Sequence, residues 1–189
     1  MNDLFGQSCA LILGELRESL SRVSSEQVAR LLDAIRAAGN TLVVGAGRMG
    51  ILLGAFSMRL NHLGFPSHVV GSTSCPPIGE RDLLLVASSS GETPSVREIV
   101  RKAREHQARI AVITAVPTST IAAMATLIVH VQAPSSIAAS GNGPLLSAQP
   151  MKTLFEQTLF IALEAMVLAL MQLTGQTGPD LAGRHGNLE

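Results

Sequence analysis

The sequence predicts an α/β protein, a three-layer α/β/α sandwich built around a five-stranded parallel sheet. Short apolar runs alternate with segments of helical periodicity along most of the chain. Residues 83–87 and 110–113 are apolar at every position, which is typical of strands that helices cover on both faces. Strands and helices that alternate in this way favour a parallel sheet with helical crossovers.

Each element follows from local signals. Helices are expected over residues 3–23 and 25–38, with Ser24 or Ser25 as the N-cap of the second and Gly39 as its stop signal. An irregular connection is expected over residues 72–81, because this Pro-containing stretch is too short for a helical crossover. The remaining strands are expected at 41–44, 67–71, 82–87, 109–114 and 127–132, and the remaining helices at 49–63, 93–106 and 118–125.

A loop rich in Ser, Ala, Gly and Pro is expected over residues 133–149, followed by a long helix from Pro150 to about Thr174. That helix is apolar around most of its circumference, so it must be buried on all sides. In a chain of 189 residues, a partner subunit is the natural cover, and we expect a homo-oligomer, either a dimer or a tetramer. Residues 175–189 are expected to form a polar, weakly structured tail.

Composition excludes several classes of protein. Charged residues make up 15% of the chain, against roughly 25% in a typical soluble domain. Fourteen basic residues balance fourteen acidic ones, and there is neither Trp nor Tyr, so a nucleic-acid partner is not expected. The apolar stretch 159–171 is interrupted by Glu164 and is short for a bilayer span, so no membrane partner is expected.

The two cysteines, Cys9 and Cys75, cannot form a disulfide framework or a four-ligand zinc site. The N-terminal residues lack the positive start and continuous apolar run of a signal peptide. We therefore expect a soluble cytoplasmic protein with reduced thiols.

A glycine-rich loop, residues 45–50, matches the pattern G-x-G-x-x-G between a strand and a helix. One interpretation is a dehydrogenase that binds NAD(P) here. It requires an acidic residue about 20 positions later, yet residues 51–79 contain neither Asp nor Glu. The other interpretation is that the glycines only permit tight packing of the strand against the helix.

A serine-rich loop, residues 88–95, follows the predicted third strand and precedes a helix. Helix N-termini have unpaired amide groups and partial positive charge, so they bind phosphate readily. The hydroxyls of Ser88, Ser90 and Thr93 would add donors. The alternative is an ordinary capped helix start, with Thr93 as N-cap or with Ser95 and Glu98 as a capping box. A cap does not need three further small polar residues, so phosphate binding is favoured.

Together the two loops resemble those of the sugar isomerase (SIS) domain family, whose members bind phosphorylated sugars. Within that family the chain is similar to the 6-phospho-3-hexuloisomerases over nearly its full length. The matching segments are 45–48 (GAGR), 58–65 (MRLNHLGF), 90–93 (SGET), 149–151 (QPM), 153–156 (TLFE) and 184–189 (RHGNLE).

The resemblance implies a flavodoxin-like single domain over residues 1–189, with N-terminal helices over 1–38. It implies interconversion of 3-hexulose 6-phosphate and fructose 6-phosphate through a cis-enediol, with no metal and no redox cofactor. Another possibility is a non-catalytic sensor or regulatory module that binds the same phosphosugars without turnover.

The family motifs also imply roles for individual residues. Glu156 is the expected base, although a solvated carboxylate near a helix N-terminus would look the same in sequence. His62 is the expected acid or hydrogen-bond donor, the alternative being a cap of the helix C-terminus. His185 lies in the tail 175–189, which is expected to reach a neighbouring subunit. The expected substrate-binding residues are Gly47, Arg48, Ser88, Ser90, Gly91 and Thr93.

Three features depart from the family pattern, one of which is the segment 115–117 (AVP), which lacks the polar pair often found after the fourth strand. Met49 stands where the family usually has serine, and Lys152 stands where it has glycine. Lys152 adds a cation close to the expected base. Such a cation would favour the ionised form of Glu156 and weaken it as a base.

Overall fold

The computed structural model describes residues 3–133 and 147–188. Its described part confirms the α/β class, with a five-stranded parallel sheet in the order β2-β1-β3-β4-β5. The strands are β1 (Thr41–Gly45), β2 (Ser67–Val69), β3 (Leu83–Ala87), β4 (Arg109–Thr114) and β5 (Leu127–His130). The helices are α1 (Leu4–Ser21), α2 (Ser25–Ala37), α3 (Arg48–His62), α4 (Pro94–Glu105), α5 (Thr120–Met124), α6 (Thr153–Thr174) and α7 (Gly178–Ala182).

The sheet separates two apolar layers. Alternate residues of β1 and β3 face opposite sides, as strand geometry requires. Val43 and Leu85 pack in the layer of α2, α3 and α6. Val44 and Leu84 pack in the layer of α4 and α5. Because every strand pair is parallel and Gly45 lies opposite Ala87, the loops that follow β1 and β3 emerge side by side.

The long helix α6 begins at Thr153, so the expectation of a start at Pro150 is wrong. The physical reason is Met151, whose φ of 54° lies in the left-handed region and interrupts a right-handed helix. The helix ends as expected, with Gly175 in the left-handed conformation that commonly closes helices. By length and composition α6 could span a bilayer, but half of its most apolar window, of mean hydropathy 1.7, is buried inside the protein.

The connection over residues 72–81 contains neither helix nor strand, as expected. The tail is more ordered than expected, because α7 forms and its Asp180 carboxylate accepts hydrogen bonds from Thr177 N (2.7 Å) and Oγ1 (2.6 Å). Arg184 Nη1 donates to His62 O (2.9 Å), which fastens this segment to the end of α3. Of the loop expected over 133–149, residues 134–146 lie outside the described residues.

Candidate active site

The glycine loop and the serine loop lie together at the carboxyl edge of the sheet. Each leads from a central strand into a helix, β1 into α3 and β3 into α4. Both helices therefore begin at this edge and direct their N-terminal amides toward it. In open parallel sheets, ligands bind outside the carboxyl ends of the strands, so this edge is the natural place for an anionic substrate.

The glycine loop is explained by close packing and backbone conformation. A Cβ at Gly50 would lie 2.6 Å from Gly45 O, and a Cβ at Gly45 would lie 2.9 Å from the backbone of Met49. Gly47 has a φ of 60°, which residues with a Cβ rarely adopt. The structure thus supports the packing interpretation and gives no separate reason for a dinucleotide.

Met49 points away from this edge. Its side chain is buried in the apolar layer formed with α2 and α6, at 7% exposure. The residue that departs from the family pattern is therefore used for packing.

The serine loop is held by its own hydroxyls. Ser88 Oγ accepts a hydrogen bond from Gly91 N (3.1 Å), and Ser90 Oγ accepts one from Glu92 N (3.3 Å). Both side chains are buried. Because each hydroxyl acts as an acceptor in these bonds, its own hydrogen can be donated to another group, which for Ser88 includes the Thr93 hydroxyl.

The capped helix start, which was the alternative to phosphate binding, forms only in part. It begins at Pro94 with Thr93 as N-cap, so Ser95 lies inside the first turn. The Thr93 side chain makes no capping hydrogen bond and instead lies 3.4 Å from Ser88 Oγ. A capped helix start therefore does not account for the loop's hydroxyls.

The serine loop packs against the start of α5. Gly91 O accepts a hydrogen bond from Ile121 N (3.1 Å), and a Cβ at Gly91 would lie only 1.8 Å from Ser119 Oγ. The Glu92 carboxylate accepts from Thr120 N (2.7 Å). This bond to the Thr120 amide is the main reason that the pKa of Glu92 is lowered. The negative charge of Glu92 is thus directed at the start of α5.

Arg48 and Glu156 form an ion pair that connects the glycine loop with the first turn of α6. Arg48 Nε lies 2.9 Å from Glu156 Oε2, although the two residues are more than 100 positions apart in the sequence. The Glu156 side chain is 13% exposed and that of Arg48 is 61% exposed. Arg48 is the cation that forms a described ion pair with Glu156, a role that the sequence analysis had considered for Lys152. A nearly enclosed carboxylate can abstract a proton next to a carbonyl once a substrate has displaced the cation beside it.

His62 and His185 form a second group. Their ring centroids are 5.1 Å apart. Arg48 begins α3 and His62 ends it, so at a rise of 1.5 Å per residue about 20 Å of helix separates them. Within one chain, the two histidines therefore lie far from the Arg48–Glu156 pair.

A cavity of about 380 Å³ lies beside the histidines, lined among others by Arg59, His62, Glu164 and His185. His62 is 6% exposed. Burial, followed by the nearby charges of His185 and Arg59, lowers the pKa of His62 below 6.5. His62 therefore favours its neutral form near pH 7. In the parts of the chain that the structure describes, no three His, Cys, Asp or Glu side chains are placed to hold a metal ion.

A larger cavity of about 930 Å³ opens at the opposite edge of the sheet, where β1, β3 and β4 begin. Its central carboxylate, Asp82, is already engaged by Asn40 N, Asn40 Nδ2 and Gly79 N, each within 3.0 Å. Size alone therefore does not identify the site, and the convergent loops and the Arg48–Glu156 pair favour the carboxyl edge.

Comparison with known proteins gives the family. Residues 34–165 match the model of the SIS domain. The chain belongs to the SIS domain family. A 3-hexulose-6-phosphate isomerase of Bacillus subtilis (strain 168) is 38% identical to this SIS domain, over 95% of this chain and 96% of the relative. A 3-hexulose-6-phosphate isomerase of Mycobacterium gastri is also 38% identical, over 100% of this chain and 94% of its own length.

A solved structure agrees in fold over the whole SIS domain. It is a hypothetical protein of Methanococcus jannaschii whose crystal structure infers a molecular function of 3-hexulose-6-phosphate isomerase. It superimposes with a TM-score of 0.82 at 27% identity, covering 97% of this chain and 99% of its own.

Sequence reasoning missed several contacts that shape the site. It did not foresee that Arg48 pairs with Glu156, that Ser119 supports Gly91, or that Glu15 of α1 binds residues just before α6. These contacts join distant parts of the chain, and no local pattern in the sequence indicates them.

Proposed function

We propose that this protein interconverts a 3-hexulose 6-phosphate and fructose 6-phosphate through a cis-enediol intermediate. The observation that carries the proposal is the nearly enclosed Glu156 carboxylate, held by Arg48 beside the two loops. The names of the full-length relatives support the same reaction and give its substrate class.

The serine loop would bind the phosphate. The N-terminal amides of α4, together with the hydroxyls of Ser88, Ser90 and Thr93, supply neutral donors for a dianion. Gly91 keeps the loop close to α5. Gly47 and Arg48, on the neighbouring loop, would contact the oxygens of the sugar chain.

Glu156 would act as the base. It removes the proton from C2, beside the C3 carbonyl, and the electron pair forms the C2=C3 double bond of the enediol. The substrate displaces Arg48 from Glu156, and Arg48 then stabilises the negative charge that develops on the substrate oxygens O2 and O3. The hydroxyl proton on O2 passes to O3, and return of the proton from Glu156 to C3 leaves the carbonyl at C2, so atoms and electrons balance without a redox cofactor.

His62 and His185 would complete the site of another subunit. About 20 Å of α3 lies between His62 and Arg48 in one chain, so these histidines can approach a Glu156 only from a neighbouring protomer. A neutral His62 could then donate or relay a proton between the substrate oxygens.

An oligomer also explains the exposed apolar side chains. Phe5 is 81% exposed, Ile51 is 72% exposed and Leu168 is 61% exposed, on α1, α3 and α6 respectively. Large apolar side chains exposed on several helices are the kind of surface that subunit contacts cover. We propose a homo-oligomer in which these helices are covered.

The decisive experiment follows the formation of fructose 6-phosphate from 3-hexulose 6-phosphate in a coupled assay. Turnover by the wild type and a loss of about 10²–10⁴-fold in Glu156→Gln are expected, since the general base is removed. Glu98→Gln is the matched control, because Glu98 is a solvent-exposed carboxylate paired with Arg101 on α4. Binding without turnover by the wild type would support a regulatory module instead.

Shared sites can be tested by mixing inactive variants. Glu156→Gln and His62→Asn are co-expressed in equal amounts. If Glu156 and His62 of different subunits form each site, half of the dimers are mixed, and each mixed dimer has one intact site. Recovery of about one quarter of wild-type activity is then expected from the two-fold symmetry. A mixture that stays inactive would exclude the shared arrangement.

A further inference from the structure

Helix α1 and its C-cap residue carry three polar side chains on one face, and these contact both sides of the connection from β5 to α6. Glu15, Ser19 and Arg22 are spaced by four and three positions, so they share a stripe along the helix. Glu15 contacts residues 147–149, which precede α6, and Ser19 and Arg22 both contact Gln132, two residues after β5.

The contacts of Glu15 are the more extensive. Its Oε2 accepts hydrogen bonds from Ser147 Oγ (2.6 Å) and Gln149 Nε2 (2.8 Å), and its Oε1 accepts one from Ala148 N (2.8 Å). Burial raises the pKa of Glu15, but these three hydrogen bonds together bring it below 4.5. The carboxylate is therefore ionised near neutral pH, when its hydrogen bonds are strongest.

The other side of the connection is fixed at Gln132. Ser19 is fully buried, and its Oγ donates to Gln132 O (2.9 Å). Arg22 Nη1 donates to Gln132 Oε1 (3.2 Å). A single helix thus holds the chain before and after residues 134–146.

The segment between Gln149 and Glu156 needs such support. Met151 is 89% exposed and has a φ of 54°, a left-handed conformation that is unfavourable for an L-residue. Its own exposed side chain supplies no packing to offset this cost. Strained residues of this kind persist where the surrounding structure fixes them, and Glu15 fixes the three residues that come just before.

We propose that Glu15 is a positioning residue, which sets the start of α6 and thereby the place of Glu156 relative to Arg48. This inference rests on the proposed function, because it takes Glu156 as the base. Glu15 acts through the backbone of residues 147–153 and does not itself contact the Arg48–Glu156 pair in the described contacts.

Hydrogen exchange tests the contact independently of activity. In Glu15→Ala, exchange in peptides covering 147–153 should rise about tenfold, as expected for lost hydrogen bonds to a charged acceptor. Exchange in α4 should be unchanged. Glu15→Gln keeps one carbonyl oxygen as acceptor, so it should restore part of the protection. Glu26→Ala is the control, since Glu26 is an exposed carboxylate on α2 that faces Arg30 at 3.9 Å.

Kinetics tests the positioning role. In Glu15→Ala, kcat should fall at least tenfold while KM stays within about twofold, because the serine loop is intact and only the base is displaced. The proposal would be overturned if exchange over 147–153 did not change, if exchange in α4 rose equally, or if kcat stayed the same. If the wild type does not convert the hexulose phosphate, the proposed function fails, and the exchange comparison alone decides whether Glu15 fixes this segment.

Discussion

Replacing Gly91 by alanine tests how the serine loop is supported. Gly91 has a φ of 65°, and an added Cβ would lie 1.8 Å from Ser119 Oγ and 2.4 Å from Ser119 Cβ. Ser119 is 3% exposed and caps α5 through Ala122 N, so it has no open space to move into. The added methyl group must displace the loop, the helix start, or both.

The expected loss is the sum of two effects. A left-handed φ costs a residue with a Cβ roughly 1–2 kcal/mol, and overpacking a tight interior costs typically 1–3 kcal/mol. Gly91→Ala should therefore reduce the free energy of unfolding by about 2–5 kcal/mol, measured by urea denaturation. It should also weaken phosphosugar binding, because the displaced loop carries the proposed phosphate donors.

Two variants separate the conformational cost from the contact. Gly175 has a φ of 68°, but a Cβ added there would meet nothing within 4 Å, so Gly175→Ala should lose only about 1–2 kcal/mol. Ser119→Gly removes both clashing atoms, so it should stabilise the Gly91→Ala protein while slightly destabilising the wild type. Equal losses in the two alanine variants, or no rescue by Ser119→Gly, would refute the role given to Ser119.

Three further predictions concern the core, the histidines and the assembly. Met49→Ser, which introduces the usual family residue, should lower the free energy of unfolding by about 2–5 kcal/mol, because a buried apolar side chain is lost. The measurement is urea denaturation, and an equally stable variant would contradict this packing. The unfolded chain protonates His62 near pH 6.5, whereas the folded chain does so only at lower pH. The free energy of unfolding should therefore decrease as pH falls below about 6.5, and His62→Gln should reduce that decrease in urea melts at several pH values. Leu168→Glu places a charge on the exposed apolar face of α6, which opposes association. The particle mass measured by light scattering should therefore fall toward the 19.8 kDa of one chain. An unchanged mass would place the interface elsewhere.

The fold could be predicted because its signals are local. Apolar runs, their spacing, and stop signals such as Gly39 depend on neighbouring residues, and the structure has strands and helices close to the predicted places. The start of α6 could not be predicted from Pro150, because it depends on the backbone of Met151. The order of the tail also depends on a distant contact, that of Arg184 with the end of α3.

The candidate site was predictable in its parts and not in its arrangement. The serine loop could be found because hydroxyls and glycine follow a buried strand, and topology alone places such a loop at the carboxyl edge. The partner of Glu156 could not be found, since Lys152 is near it in sequence but Arg48 reaches it through the packing of α3 against α6. The capping box at Ser95, which was the alternative to phosphate binding, does not form because Pro94 already begins the helix.

The length of α3 connects the chemistry with the assembly. This helix starts at Arg48, which pairs with the proposed base, and ends at His62, which is buried and has a lowered pKa that favours the neutral form. A straight helix of 15 residues cannot bring its two ends to one substrate. The two groups can still act together where a symmetry axis sets the end of one α3 beside the beginning of another. The apolar residues Ile51 and Met58, exposed along the same helix, lie between the two groups and would be covered by such an arrangement. If each site is shared in this way, the isolated subunit would retain the serine loop and Glu156 but lose turnover.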